Sequence, residues 1–393
     1  MTIPTPLLSG DREAFADAFA ARIAALPHPP RLLGFGEPTH GEDEFGRLRN
    51  AVFAALVDRA GFTSIALESS VWHGRVVDAY VGGADGDEDE VMATGFTHDF
   101  GASAANRELV RWLRERNRHR APADRLRFAG FDAPTEMAAA PSPREALQAL
   151  HDFLRQHGVG DLPHWDDIDR LLGPDDLWVE PAAAREPARS IGSQPRVHEL
   201  RAITDDLRRI LACEIPRDDL GEAPLAGRTA AGLLAYHSAM AKDTEHRWQR
   251  LSALRDEMMA ENLRAIAERG RTLVFGHNLH LRTGVAEMPF GETVRTTLHW
   301  NPAGAHVAGP DYRVVATALG EAVHLDVPAP PADTVEGVLH DGLPPGNHLF
   351  DASALRTLQE GLAVRKAPTY RYFPIDDTLL GQVDEVVFLH TIT

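Results

Sequence analysis

The chain has 393 residues, 44% hydrophobic and 25% charged, ordinary globular values that leave room for one large α/β unit with an insertion or for two to three domains of about 100 to 200 residues. Its formal net charge of -18, without any Lys/Arg block, argues against nucleic acid or anionic membrane as a partner. No apolar run approaches the roughly 18 residues of a membrane span, and the N-terminal MTIPTPLLSGDREAF carries no signal-peptide pattern, so the expectation is a soluble cytoplasmic protein. Cys213 is the sole cysteine, which excludes internal disulfides and thiolate-rich metal clusters; within Ile210-Leu211-Ala212-Cys213 it reads as a small buried hydrophobe.

In chain order, Phe15, Phe19, Ile23 and Leu26 recur at helical spacing and predict a helix from Asp11 to Leu26. A first strand follows at Arg31 to Phe35. A second helix runs from about Glu44 to Ala60, with Phe45, Leu48, Val52 and Leu56 on one face and Gly61 as its cap. Thr63 to Leu67 is the next strand, and strand, helix and strand in this order make a βαβ unit with a parallel sheet. Further strands are predicted at Leu126–Phe131, Thr272–Phe275, Tyr312–Leu319, Ala322–Val327, His348–Asp351 and Val386–Leu389. Between residues 131 and 272 there is no convincing strand, only helices at Pro143–Gln156, Val197–Cys213 and a long stretch from about Arg228 to Glu268. The Pro/Gly/Ala-rich segment Gly173 to Pro195 separates them and reads as a long loop or mobile flap. The expected architecture is α/β: a central, mostly parallel sheet flanked by helices, with residues 1–140 and 270–393 forming the core domain and residues 141–269 a helical insertion that makes a second lobe over the cleft.

Chemistry concentrates at two strand ends. Gly36-Glu37-Pro38-Thr39-His40-Gly41 follows the first strand, placing a carboxylate and an imidazole three residues apart where open α/β sheets build their ligand crevice. Glu68 ends the second strand at the same edge. Val274-Phe275-Gly276-His277-Asn278-Leu279-His280 repeats the design, with a glycine before polar groups. A dinucleotide reading of Gly34-x-Gly36 fits poorly, because Thr39 stands at the third fingerprint position and Glu37 would face the pyrophosphate with like charge. No G-x-S-x-G elbow and no H-E-x-x-H zinc motif occurs. Most of the 19 histidines read as ordinary surface or core residues. His40 and His277 stand apart by position. Arg49, nine residues beyond His40, lies either on a solvated helix face or toward the carboxylates, where it would lower their pKa and polarise a carbonyl oxygen.

At these residues the chain resembles the erythromycin esterase family, hydrolases that open the lactone ring of macrolides. The likeness rests on Gly36-Glu37-Pro38-Thr39-His40-Gly41, Glu44, Arg49, Gly61-Phe62, Ala66-Leu67-Glu68 and Val77-Asp78-Ala79-Tyr80-Val81. It continues through Gly130-Phe131-Asp132, Arg255-Asp256-x-Met258-x-x-Glu261-Asn262 and Gly276-His277-Asn278-x-His280. The resemblance implies His40 as the general base that takes a proton from water, with Glu37, Glu68, Arg49 and His277 orienting it or stabilising the oxyanion. It further implies a bulky small-molecule ester as substrate and no cofactor. His280, Asn278, Trp72 and His73 are expected to contact that substrate. Pro38, the segment Ser69-Ser70-Val71-Trp72-His73-Gly74 and the Pro/Ala-rich flap depart from the resistance enzymes, which leaves the substrate open. Alternatives on the same scaffold are a biosynthetic enzyme performing cyclisation, acyl transfer or acid/base rearrangement, and a ligand- or haem-binding module. Two His and two Glu are also a donor set that Zn²⁺ or Mn²⁺ accepts. Oligomeric state is not legible.

Overall fold

The computed structural model describes residues 3–136, 139–290, 296–367 and 372–392. An eight-stranded sheet is built from β1 (Leu8–Gly10), β2 (Leu32–Glu37), β3 (Phe62–Ser70), β4 (Arg127–Asp132), β5 (Arg271–His277), β8 (Tyr312–Glu321), β9 (Asn347–Asp351) and β10 (Glu385–Thr391). A separate antiparallel pair consists of β6 (Ala286–Phe290) and β7 (Thr296–Trp300). The sheet order is β1-β9-β10-β8-β2-β5-β3-β4, with the six strands from β10 to β4 mutually parallel and β9 alone running against them, paired antiparallel with β10 and with the edge strand β1. This is the mostly parallel, helix-flanked α/β sheet read from the sequence.

The chain moves from β2 outward to β3 and β4, returns to place β5 between β2 and β3, and then crosses β2 to lay down β8. The carboxyl ends of β2 and β5 therefore lie side by side, with Gly36 opposite Gly276 and Glu37 opposite His277 in register. Such a reversal of strand order opens a crevice between the outgoing loops. Both sequence-singled turns, at His40 and at His277, fall there.

Helices cover both faces because the strands bury alternate side chains on opposite sides. Leu33 and Phe35 of β2, Leu273 and Phe275 of β5 and Val315 of β8 pack into a core with Phe15, Phe19 and Leu56 from the helices Arg12–Ala24 and Asp43–Arg59. Leu32, Val274 and Val314 face the other way, against Met259 and Leu263 of the helix Arg247–Ala267. Each such fully buried side chain contributes roughly 1.5 to 3 kcal/mol over its exposed state. The helix Arg12–Ala24 starts where Asp11 caps it, its carboxylate accepting the Ala14 N–H at 2.9 Å.

Among the described residues, β4 and β5 are separated by helices at Arg144–Gln156, Trp165–Leu172, Pro195–Glu214, Ala223–Met240 and Arg247–Ala267. The first four share an apolar core of Leu147, Leu150, Leu200, Leu207 and Leu234. The long stretch Arg228–Glu268 is two helices rather than one, since the polar run Lys242 to His246 stops the first and the apolar period simply resumes after it. Gly173–Pro195 is a series of short 3₁₀ turns, two of them opened by Pro181 and Pro187, and Trp178 anchors it in the helical core with its indole N–H on the Leu172 carbonyl at 3.0 Å. Ala322–Val327 is not a strand. Its apolar alternation hides a 3₁₀ turn, Val323–Leu325, closed by Asp326 at φ 57° and leaving Val323 exposed. Cys213 is likewise exposed, not buried, because the helix Pro195–Glu214 turns Leu207 and Leu211 inward instead.

Candidate active site

The turn after β2 sets the geometry. Glu37, buried at the strand end, accepts a 2.7 Å hydrogen bond from His40 Nδ1. An ionised carboxylate only accepts, so Nδ1 carries a proton. Nε2 then points across the turn toward Glu68 Oε1 at 3.6 Å, beyond a direct hydrogen bond. The His40 side chain keeps 40% of its surface exposed, against 5% for Glu37 and 2% for Glu68, so Nε2 lies at the border between protein and solvent. Pro38 serves this turn through its carbonyl, which accepts from the Phe373 N–H at 3.0 Å and from His277 Nε2 at 3.3 Å.

Glu68 is the hub. Its Oε2 accepts the backbone N–H of His277 at 2.6 Å, and Oε1 accepts from Arg255 Nη2 at 3.2 Å and lies 3.3 Å from His280 Nε2. This approach requires glycine at 276, where a Cβ would come within 2.9 Å of Glu68 Oε2. The charges continue outward. Arg255 is clamped by Asp132 at 2.6 Å, and His280 Nδ1 pairs with Asp256 at 2.8 Å, whose carboxylate also takes the Trp300 indole N–H and the Ala303 N–H, each at 2.7 Å.

Burial alone would raise every carboxylate and lower every imidazole here. For Glu37 it prevails and the pKa rises, although His40 opposes it. For Glu68 burial is overcome by the positive charges of His280, His40 and Arg255, which hold it well below the ordinary glutamate value. Burial likewise disfavours the His40 imidazolium, but Glu68 and Glu37 outweigh it and push its pKa up to about 10. His280 is raised for the same reason, by Asp256 and Glu68 against burial. His277 goes the other way. Burial, helped by the neighbouring His40 charge, pushes it down to about 3.

His277 is held between backbone groups: Nε2–H donates to Pro38 and Nδ1 accepts the Leu279 N–H at 3.2 Å. It is thus a neutral ring packed 5.2 Å from His40, centroid to centroid, and 4.9 Å from Phe373. A protonated His277 holding an oxyanion does not fit this arrangement. Arg49 does point inward, fully buried, but its three guanidinium nitrogens donate to Asn50 and Asn106 while its plane lies over Phe275 at 4.8 Å. Asn278 spends its amide on both backbone groups of Thr317 in β8, and Gly36 exists to admit it, since a Cβ there would meet Asn278 Oδ1 at 2.1 Å. Trp72 donates to Glu145 and stacks on Arg75, and His73 bonds Ser70. Those three lie outside the lining of the cleft.

The cleft itself has a volume of about 800 Å³, within the range of small-molecule sites. Glu37, His40, Arg49, Glu68, His277 and His280 line it together with Arg255, His98, Glu136 and the apolar Leu67, Phe100, Phe275, Leu279, Met288 and Phe373. Arg255, Asp132, Asp256 and His98 carry much of the polar framework and were not assigned roles from sequence. Asp132 at a strand end and Arg255-Asp256 within the family-like motif were usable signals. Among the described residues no three His, Cys, Asp or Glu side chains are arranged to hold a metal ion, and both His277 nitrogens are committed to backbone. No helix among them is long and apolar enough to cross a membrane.

A family model described as erythromycin esterase matches residues 57–392. The chain belongs to the erythromycin esterase family. The matched stretch contains Glu68, Arg255, His277 and His280 and begins after the Glu37–His40 turn. Over 125 residues the chain is 28% identical to an Escherichia coli protein described as erythromycin esterase type II, a stretch that is 32% of this chain and spans only 28% of that relative's length. Three solved structures share the fold. A Bacillus cereus protein aligns with a TM-score of 0.73 at 16% identity over 98% of this chain and 94% of its own. An erythromycin esterase mutant in its open conformation gives 0.63 at 17% identity over 92% and 91%. A succinoglycan biosynthesis protein gives 0.70 at 16% identity over 98% and 94%. At these identities the erythromycin esterase fold is what the likeness establishes.

Proposed function

We propose that this member of the erythromycin esterase family hydrolyses a macrolactone or another bulky ester with water activated by His40 and without a covalent intermediate. The observation that carries the reading is the His40 ring, fixed at Nδ1 by Glu37 and offering Nε2 to the cleft opposite Glu68. The framework resembles a general-base dyad, whose contribution is typically ~10² to 10⁴-fold. In its base form, Nε2 takes a proton from a water bound on its cleft side, beside Glu68, as the oxygen adds to the ester carbonyl. The Glu37 carboxylate stabilises the imidazolium that forms. Arg255, whose guanidinium reaches Glu68 and lines the cleft, is better placed than Arg49 to meet the developing oxyanion. The helical segment 141–269 supplies Tyr236, Leu251 and Arg255 beside this wall and would act as the cover of a large, mostly apolar substrate.

The charge environment fixes the pH behaviour of this mechanism. The base must lose its Nε2 proton, and two carboxylates push that loss up to about pH 10. For an ester whose leaving group needs no proton, the rate is therefore expected to climb as pH rises through the alkaline range, whereas a rate that falls there for such an ester would make His40 an acid and sink the base assignment. The direct test incubates purified protein with a panel of macrolides and bulky alkyl esters and follows products by mass. Ring-opened product one water heavier, abolished by His40→Gln, supports the hydrolase. Substrate consumed with transfer of the acyl group to another acceptor, and no hydrolysis, would move the assignment to a biosynthetic acyl transferase. Activity undiminished after chelation and metal analysis is the expected result for the same panel.

A further inference from the structure

A further histidine, His98, faces the same cleft, from the segment between the helices Glu88–Thr94 and Ala104–Asn117. His98 lies between two carboxylates, with Nε2 2.9 Å from the fully buried Asp132 and Nδ1 3.0 Å from Glu136. Ionised carboxylates only accept, so both ring nitrogens are protonated. One partner is permanent and the other is not: Asp132 is locked by Arg255, whereas the Glu136 side chain is 62% exposed.

The backbone is strained to achieve this. His98 and Asp99 adopt φ of 57° and 59°, consecutive left-handed conformations in residues other than glycine. Such strain persists only where the surroundings enforce it, and it concentrates at functional sites. Here the enforcement is visible, since Thr97 donates its N–H to Ser69 Oγ at 2.9 Å and accepts the Ser70 N–H at 3.0 Å, tying the segment to the end of β3. Phe100 then places its ring 5.9 Å from His98 and 5.5 Å from His40. The two imidazoles stand on either side of one aromatic contact on the wall of one cleft.

We propose that His98 is the proton donor to the leaving alcohol, with the substrate's alkoxide oxygen taking the place of Glu136 at Nδ1. This rests on the hydrolase reading. Hydroxide from the His40-bound water adds to the carbonyl carbon; the tetrahedral intermediate collapses and the C–O bond to the alcohol breaks. That oxygen takes the Nδ1 proton with the bond's electron pair, leaving neutral His98 held by Asp132 at Nε2. The products are acid and alcohol, and His40 and His98 exchange protons with solvent to reset. The substrate class follows from the chemistry: esters and lactones of aliphatic alcohols, whose alkoxides leave poorly without a proton, rather than activated aryl esters.

The charged groups facing His98 are Asp132 of β4, Glu136 beyond it, and Arg255 of the helix Arg247–Ala267. Burial disfavours its charge, but Asp132 and Glu136 outweigh that and push its pKa up to about 9. The donor is therefore charged below that range and lost above it.

The test compares an alkyl ester and the nitrophenyl ester of the same acid, with native protein and with His98→Gln. Expected is a loss of about 10²-fold or more in kcat for the alkyl ester, with the nitrophenyl ester, which needs no proton, nearly unaffected. In the native protein the alkyl-ester rate should fall at the alkaline end while the nitrophenyl rate does not. Equal losses on both esters, or identical alkaline limbs in the native protein, would overturn the assignment. The native profiles decide even if the variant fails to fold. Native protein inert toward both esters would instead overturn the hydrolase reading on which the assignment stands.

Discussion

Two turns at the ends of adjacent strands each present a histidine to the same cleft, 5.2 Å apart, yet one is charged and the other neutral. His40, after β2, has carboxylates at both nitrogens and stays half exposed; His277, after β5, has a carbonyl and an amide N–H and is buried. Proximity and residue type are identical, so the partners decide. A backbone pair satisfies a neutral ring completely and gives it nothing to do. A carboxylate pair holds a proton that can move. The comparison teaches that, on the proposed reading, the chemistry of this sheet edge lies in the first turn and its scaffolding in the second.

The largest break in that contrast is expected from His40→Gln, which removes the proposed base and should lower kcat by ~10² to 10⁴-fold with little change in thermal midpoint, read by steady-state kinetics and melting. Next, Glu68→Gln removes one of the two charges that hold the His40 proton. The rising limb of the pH–rate profile should move toward lower pH, by about one unit or more. Gly276→Ala should mimic it, because the new Cβ displaces Glu68 from its seat; a limb that stays in place in both would deny Glu68 its control of His40. A smaller, different effect belongs to His277→Phe. Losing the bond to Leu279 leaves a buried backbone N–H unpaired, worth about 1 to 3 kcal/mol of stability by denaturant unfolding, while Phe373 still holds the Pro38 carbonyl. A neutral ring takes no charge away, and the limb should not move. Smallest is Trp72→Phe, which cuts only the bond to Glu145 and should leave KM unchanged.

The α/β architecture was legible because β2, β3, β5 and β8 are apolar runs separated by amphipathic helices, and the βαβ order dictates a parallel sheet. The β2 turn was legible because Glu37 and His40 are close in sequence. What escaped notice depends on contacts across the chain. Asn278 looked like a ligand-binding amide until β8 took both ends of it, and Arg255, 187 residues from Glu68, carried no local sign of its target. His98 stood in Gly95-Phe96-Thr97-His98-Asp99-Phe100-Gly101 without any period to mark it. Short strands such as β1, and the antiparallel pair β6 and β7, lacked the length or composition to rise above turn signals. Cys213 misled because its apolar neighbours in sequence are not its neighbours on the helix face.

One small contact carries a consequence for how the protein comes to be active. The carbonyl of Pro38, inside the first turn, is capped by the N–H of Phe373, more than three hundred residues later, and the Phe373 ring closes over His277. A chain emerging from the ribosome gains the sheet neighbours of β2, which are β5 and β8, only late, and its reactive turn lacks this clasp until nearly the last strand has been made. Catalysis should thus be the final property acquired during synthesis, and a nick near Phe373 should silence the enzyme while most of its secondary structure survives.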